Sequence, residues 1–413
     1  QAPDTLSEAS AVERALAVSP ALRTAEAAVA LAQAERDADG AFFTGGPELD
    51  VDAALNPLEP PPPGDVEAGV SVSQTLERPA VRRARRAAAG SRLAVAEGQR
   101  RAARFDLVAD VRVAVADLAA AQGAARLARE ALVAADTLVS VARLRYRFGD
   151  VSELDWRLAR ADAAAVAAEV SRTEAERTAA EAALARLLAV PGARVAVPAL
   201  DALPPVPVDT LAPAFRPDVE VAGLAARAAG FEAELGRERA RFPTFTVRAG
   251  LERRALFYGA DDVDGADFGD DFSLGRRETE VTLGLSVPLP FGGAGRREAR
   301  RAEATAQLRA AESTEVQAGA ASEVAASVAA VRESSRALTR LENVAADLRE
   351  IDGLLALASS GGEIDVPTLL AQRDRVRGVR RAALEALATD RRARLALARA
   401  LGRPAAGLPV DPE

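Results

Sequence analysis

The side chains able to carry chemistry in this sequence are carboxylates, arginines and hydroxyls. Histidine, cysteine, methionine and lysine are absent from all 413 residues. Without cysteine or histidine there is no thiol nucleophile, no imidazole base and no ordinary zinc or copper site. Without lysine there is no Walker A phosphate clamp and no Schiff base. Hydrolysis by carboxylates alone needs paired acids in a cleft, and no such pair stands in a cleft-forming context. The acids gather instead beside glycines. Asp150, Glu153 and Asp155 follow Gly149, with Arg145 and Arg147 just before it, and Glu363 and Asp365 follow Gly361-Gly362. Repeated around an axis, Asp150, Glu363 and Asp365 would form acidic rings that select cations or gate a pore. Arg145 and Arg147 would then hold the turn closed by pairing with Asp150 or Asp365. The plainer reading is exposed helix-start acids favoured by the dipole. No cofactor and no resident metal is called for.

Six more acids, Asp261, Asp262, Asp264, Asp267, Asp270 and Asp271, lie between Tyr258 and Gly275. Asp264-Gly265 has the look of a calcium loop, but the EF-hand spacing and its closing glutamate are missing. The segment reads as a solvated loop. Basic residues form two clusters, Arg82, Arg83, Arg85, Arg86 and Arg296, Arg297, Arg300, Arg301. They read equally as a belt meeting lipid headgroups or as solvated helix faces. With 53 basic against 61 acidic residues and no basic domain, nucleic acid is not an expected partner.

The elements that position these groups occur twice. Each half reads helix, strand, loop, strand, very long helix, glycine break, helix. The expected repeats are 1–206, with a hairpin at 48–76 and helices 79–148 and 152–188, and 207–413, with a hairpin at 243–290 and helices 296–359 and 367–401. Pro191–Pro217 holds seven prolines and links them. Ser19-Pro20 and Arg216-Pro217 open the leading helices. The strands alternate with period 2. Leu49, Val51, Ala53 and Leu55 alternate with Asp50, Asp52, Ala54 and Asn56; Val66, Ala68, Val70 and Val72 with Glu67, Gly69, Ser71 and Ser73. In the second half Phe245, Val247, Ala249 and Leu251 face away from Arg248 and Glu252, and Val281, Leu283, Leu285 and Val287 away from Glu280. From Pro79 to Phe148 the pattern is helical without a further proline, about 105 Å at 1.5 Å per residue. Ordinary globular helices run about 8–20 residues, so these lengths signify a coiled coil, a stalk or a tube. Abundant alanine suits helices packed closely side by side.

No run of apolar residues is long enough for a transmembrane helix. Gln1 opens the sequence with no basic, apolar leader, as expected if a signal peptide has been removed or was never present. A lipid anchor, which needs a cysteine at the first mature position, is not expected. The strands, at about 10 residues, match a tilted strand crossing a bilayer. Four strands cannot close a barrel, and open edges are not tolerated in lipid. Membrane-spanning strands therefore require several chains; three give twelve strands with cyclic symmetry. The polar faces, with Asp50, Asp52, Glu67, Arg248, Glu252 and Glu280, would line a wet lumen. Phe42, Phe43, Phe242, Phe257, Tyr258 and Phe291 would flank the strands as an aromatic girdle. The competing reading is a soluble or periplasmic coiled-coil scaffold with two β-hairpins and no transport.

Several motifs in order resemble the TolC family of outer-membrane efflux proteins across nearly the whole chain. These are Ala15-Leu16-Ala17-Val18-Ser19-Pro20-Ala21-Leu22, then Arg145-Tyr146-Arg147-Phe148-Gly149-Asp150-Val151-Ser152-Glu153-Leu154-Asp155, then Arg216-Pro217-Asp218-Val219, Val287-Pro288-Leu289-Pro290-Phe291 and Gly362-Glu363-Ile364-Asp365-Val366-Pro367-Thr368. The departures are Pro79-Ala80, where a Gly-Gly or Gly-Lys is common, and arginine in place of lysine. The resemblance implies a fold of mixed α and β. Long helical hairpins would form a periplasmic α-barrel, and four strands per chain would contribute to a twelve-stranded outer-membrane β-barrel of a homotrimer. It implies a passive duct of a tripartite efflux pump, not an enzyme, working with a periplasmic adaptor and an inner-membrane pump of the RND type. It places adaptor docking at the two turns, with Tyr146, Gly149, Asp150, Ser152, Gly361, Gly362, Val366 and Thr368. The size and compact C-terminus look slightly more like the heavy-metal (CzcC-like) branch than the multidrug branch.

Overall fold

The computed structural model describes residues 6–40, 45–56, 65–190, 196–199, 216–241, 244–255, 277–288, 293–361 and 364–403. The elements in order are α1 (Glu8–Val18), α2 (Pro20–Asp39), β1 (Glu48–Asn56), β2 (Asp65–Leu76), α3 (Pro79–Phe148), α4 (Glu153–Leu187), α5 (Pro217–Arg241), β3 (Phe245–Ala255), β4 (Arg277–Ser286), α6 (Ala294–Gly361) and α7 (Val366–Ala400). The sequence α2-β1-β2-α3-α4 is matched element for element by α5-β3-β4-α6-α7. Pro20 opens α2 as the sequence predicts, and α1 ahead of it is an additional helix. Proline has no N–H and pushes the residue before it out of the helical region. Ser19 accordingly sits at φ −58°, ψ 122°, and its hydroxyl accepts the Leu22 N–H at 3.4 Å to start α2.

The chain divides into two compact units. The first, residues 28–96 and 222–313, holds all four strands. They form one antiparallel sheet in the order β1-β2-β3-β4. Register places Val51 opposite Val70, Val70 opposite Leu251 and Leu251 opposite Val281. One face therefore carries an apolar row across all four strands, with Arg253 and Thr279 on that face toward the end away from the helices. Among the described residues β1 pairs only with β2 and β4 only with β3, so both outer strands present free edges. All four junctions to helices emerge at one end of the sheet, since Leu76 stands opposite Phe245 and Thr246 opposite Ser286. The helices near that end pack through small residues. Val81, Ala84, Ala88 and Leu235 form one cluster, and Gly236 lets α5 lie so close to α6 that an added Cβ would sit 3.4 Å from the Ala299 Cα.

The second unit, residues 1–27, 97–221 and 314–413, is helical. Its main core joins α1, α3 and α4 through Ala11, Val12, Ala15, Val111, Leu118, Leu184 and Leu188. Among the described residues no single helix is long and apolar enough to cross a membrane, and the buried face of α1 serves this core. α7 is held to the first hairpin by arginines spaced along it. Arg373 donates to the Ala134 carbonyl at 3.1 Å. Arg377 pairs with Asp162 at 2.8 Å, Arg392 with Asp117 at 2.6 Å and Arg399 with Asp106 at 2.6 Å. Gly123 lets α3 approach α7, because a Cβ there would meet the Leu384 side chain at 3.1 Å.

Candidate functional site: strand faces and hairpin turns

In the sheet, Leu283 is 80% exposed, Val51 72% and Val281 71%. No strand residue belongs to any apolar core among the described residues. The soluble-scaffold reading requires this face to be packed on helices, and it is not. The opposite face carries the acids and Arg248. Register puts Asp52, Gly69, Glu252 and Glu280 in one row, and Asp50, Ser71 and Gly250 in the next. The Asp52 carboxylate lies over Gly69, within 2.6 Å of where a Cβ would stand. Arg248 approaches Asp50 at 3.6 Å with both groups open to solvent, an arrangement that contributes little stability. Asp50, Asp52, Glu67, Arg248, Glu252 and Glu280 thus share one face, as alternation predicts.

The first turn follows a glycine-capped helix end. Gly149 has φ 82°, its N–H donates to the Tyr146 carbonyl at 3.1 Å and the Asp150 N–H to the Arg145 carbonyl at 2.9 Å. This is the Schellman pattern, which satisfies the last carbonyls of α3 and needs the left-handed conformation glycine tolerates. Two residues on, Ser152 caps α4. Its hydroxyl accepts the Asp155 N–H at 3.1 Å while the Asp155 carboxylate accepts the Ser152 N–H at 3.0 Å, a reciprocal capping box. Asp155 is therefore a structural acid. Tyr146 and Trp156 stack at 5.8 Å with planes 4° apart, and the Arg160 guanidinium lies 5.1 Å from the Trp156 ring centre. The aromatic residues pack the turn.

At the second turn Gly361 is the last residue of α6, while Gly362 and Glu363 lie outside the described residues. Asp365 occupies the N-cap of α7 and makes no side-chain cap there; it is exposed, as is Thr368. Val366 is buried. The two turns, some 210 residues apart in sequence, share one core. Leu138, Ala142 and Ala159 of the first hairpin pack with Leu348, Leu355, Val366, Leu369 and Val376 of the second. Sequence reading assigned the turns but not this cluster, because apolar helix positions do not announce their partners.

Three features escaped the sequence reading. Asp390, 1% exposed on α7, accepts from Ser334 at 3.0 Å, Ser335 at 2.8 Å and Arg394 at 2.5 Å. Burial pushes its carboxyl up, but the hydrogen bonds from Arg394, Ser335 and Ser334 outweigh it and hold it below the usual aspartate value. The i,i+4 spacing of Asp390 and Arg394 was the only signal. Next, the two arginine clusters are not equivalent. Arg85 is 4% exposed and bound to Glu77 at 2.9 Å and Asp39 at 3.4 Å, whereas Arg296, Arg297, Arg300 and Arg301 are all exposed. Finally, a groove of about 1180 Å³ runs beside α3, α4 and α7. Its acid Glu169 is held below the usual glutamate range by hydrogen bonding from Arg172 and by Arg381, which leaves it no readiness to take a proton near neutrality. Among the described residues no group of three acids is arranged to hold a metal ion. The aromatic candidates Phe42, Phe43, Phe242, Phe257, Tyr258 and Phe291, and the aspartate-rich loop, lie outside the described residues.

The model of the outer membrane efflux protein family matches residues 11–190 and 210–403. No curated protein matches the sequence. Among solved structures the chain is similar to the outer membrane protein VceC from Vibrio cholerae, with 22% identity, a TM-score of 0.74 and 96% of each chain covered. It is similar to the CmeC outer membrane channel of Campylobacter jejuni, with 15% identity, a TM-score of 0.77 and coverage of 96% and 85%. The open state of the MtrE outer membrane channel of Neisseria gonorrhoeae gives 20% identity, a TM-score of 0.76 and coverage of 96% and 89%. These likenesses concern the fold. An apolar sheet face turned outward, a charged face behind it, and paired helical hairpins fit the matched family, and the chain belongs to the outer membrane efflux proteins, the TolC family its motifs resemble, as an outer-membrane efflux channel and not an enzyme.

Proposed function

We propose that three copies of this chain close one twelve-stranded barrel and form the passive exit duct of a tripartite pump. The observation that carries this reading is the open four-stranded sheet, apolar and exposed on one face, with a free edge on each outer strand. In lipid such edges must be paired, and joining β1 of one copy to β4 of the next pairs them all. Asp50, Asp52, Glu67, Arg248, Glu252 and Glu280 then line the water-filled lumen. The two sequence halves, 1–206 and 207–413, act as repeats of one hairpin-bearing unit. Detergent-extracted oligomers should conduct ions in planar bilayers; a monodisperse monomer that stays soluble without detergent contradicts the assignment.

At the hairpin turns, Tyr146, Gly149, Asp150, Ser152, Gly361, Gly362, Val366 and Thr368 form the docking surface for a periplasmic adaptor, which connects the duct to an inner-membrane pump of the RND type. The shared apolar core of the two turns supports this, since it makes one surface of two distant segments. A Gly149→Pro, Gly361→Pro double variant should lose adaptor cross-linking, and unchanged cross-linking would remove the assignment. Asp150, Glu363 and Asp365, with Arg145 and Arg147, form the gate. Single-channel conductance and cation preference should shift in Asp365→Ala, Glu363→Ala and Arg147→Ala; unaltered traces would exclude gating. The cargo is a small molecule or a metal ion. With no histidine, cysteine or methionine in the chain, any metal in transit meets only oxygen ligands and water.

A further inference from the structure

We infer that the helix-bearing end of the sheet carries a basic collar that binds the anionic headgroups of phospholipids, an interaction that rests on the membrane-spanning reading of the sheet. Segments 77–86, 237–241 and 296–301 hold 12 of the chain's 53 arginines in 21 residues, against three glutamates, in a chain whose net charge is −8. All three segments adjoin the same end of the sheet, because β2 runs into α3, α5 into β3 and β4 into α6 there. The helical stretches lie within about two turns of the strands, roughly 10 Å at the helical rise. An arginine side chain at that depth reaches the headgroup layer while its stem stays beside apolar surface.

Part of the collar is used internally. Arg85 is buried against Glu77 and Asp39, Arg86 donates to the Gly40 carbonyl, and Arg237 and Arg241 pair with Glu303 and Glu238. Five others point elsewhere. Among the described residues Arg83, Arg239, Arg296, Arg300 and Arg301 are exposed and none of the ion pairs engages them. Arg296 and Arg297 bring their guanidinium groups together over Gly293, within 3.9 Å and 3.8 Å of the position of a Cβ there. Arg296 stands in the first turn of α6, which carries no acid of its own, and a cation at this end of the helix dipole favours a neighbouring anion. These arginines belong to the same compact unit as the exposed apolar strands and flank the end where the strands join the helices, so one ligand with an acyl chain and a negatively charged head fits both parts. The connection between β3 and β4 supplies the opposite sign, with six aspartates at 261–271.

The test compares lipid retained by the detergent-solubilised oligomer after exposure to an equimolar mixture of phosphatidylglycerol and phosphatidylcholine. A five-site variant, Arg83→Gln, Arg239→Gln, Arg296→Gln, Arg300→Gln and Arg301→Gln, is set beside a charge-matched control in the helical unit, Arg14→Gln, Arg23→Gln, Arg100→Gln, Arg104→Gln and Arg332→Gln. The unaltered chain and the control should retain phosphatidylglycerol at least about fivefold over phosphatidylcholine, the effect of about one arginine near a charged surface. The five-site variant should retain both nearly equally. No preference in the unaltered chain, or a preference surviving in the five-site variant, overturns the collar. If that variant fails to assemble, a salt titration of the unaltered chain decides, because a headgroup contact must weaken as ionic strength rises and an invariant preference overturns it. Incorporation into phosphatidylcholine vesicles separates the two claims. A chain that enters them without anion preference loses only the collar, while one that never enters them loses the membrane-spanning sheet as well.

Discussion

The sheet and the helical unit bury their side chains by opposite rules. In the helical unit, Leu118, Leu184 and Leu188 are fully buried, and arginines on α7 bridge outward to Asp106, Asp117 and Asp162. In the sheet, Leu283, Val51 and Val281 are among the most exposed apolar residues and the carboxylates lie on the other face. A helix packed in water and a strand facing lipid obey the same preference for apolar surroundings; what differs is where those surroundings are. Exposure of leucine is thus a statement about the solvent, and register makes it unambiguous, since a shift of one residue would exchange the faces.

The largest expected effect sharpens the interior side of this contrast. Asp390→Ala removes the buried acceptor shared by Ser334, Ser335 and Arg394 and should cost about 3–5 kcal/mol, measured by chemical denaturation; a cost within that of a surface change would mean the site is wet. The same group sets a pH dependence. Its folded pKa lies below the ordinary value, so its stabilisation is present above the unfolded pKa and is lost as pH falls through the folded one. The stability difference between the unaltered chain and Asp390→Asn should therefore narrow on acidification.

Leu283→Arg tests the other side. On a water-facing strand a change at an 80% exposed site costs almost nothing; on a lipid-facing one it costs about 2–4 kcal/mol near the midplane. Val133→Arg, at a 68% exposed position of α3, provides the contrast and should stay within about 0.5 kcal/mol. Equal effects of the two changes on folding in lipid would erase the distinction between the units. Next, Gly149→Ala forces a Cβ into φ 82° and should destabilise by about 1 kcal/mol, less than a core change but measurable. The smallest effect is at Glu153→Gln, which removes an exposed i,i+4 pair with Arg157 worth about 0.3–0.5 kcal/mol. A larger loss there would show that the turn is covered in the assembled particle.

The strands, the long helices and the glycine at the first turn were legible in the sequence because each depends on local rules. Period-2 alternation places Val51, Val70, Leu251 and Val281 on one face without any knowledge of pairing, and register then aligns them. The helix start at Ser19-Pro20 is legible from the proline, but α1 before it announces itself only by packing Ala11, Val12 and Ala15 on α3 and α4. Neither the burial of Arg85 beside exposed Arg83 and Arg86, nor that of Asp390, could be read. Neighbouring arginines are alike in sequence, and which one turns inward depends on Glu77 and Asp39 arriving from other elements. For the same reason the common core of Leu138, Leu348, Leu369 and Val376 beside the turns is not legible in the sequence.

The central claim is that one chain supplies a third of a barrel. The mass of the detergent-solubilised particle under native conditions tests it most directly. Three times the 42.9 kDa chain, with ion conductance in a planar bilayer at that mass, is the expected result. A particle of a single chain, with its β1 and β4 edges still unpaired, would contradict it.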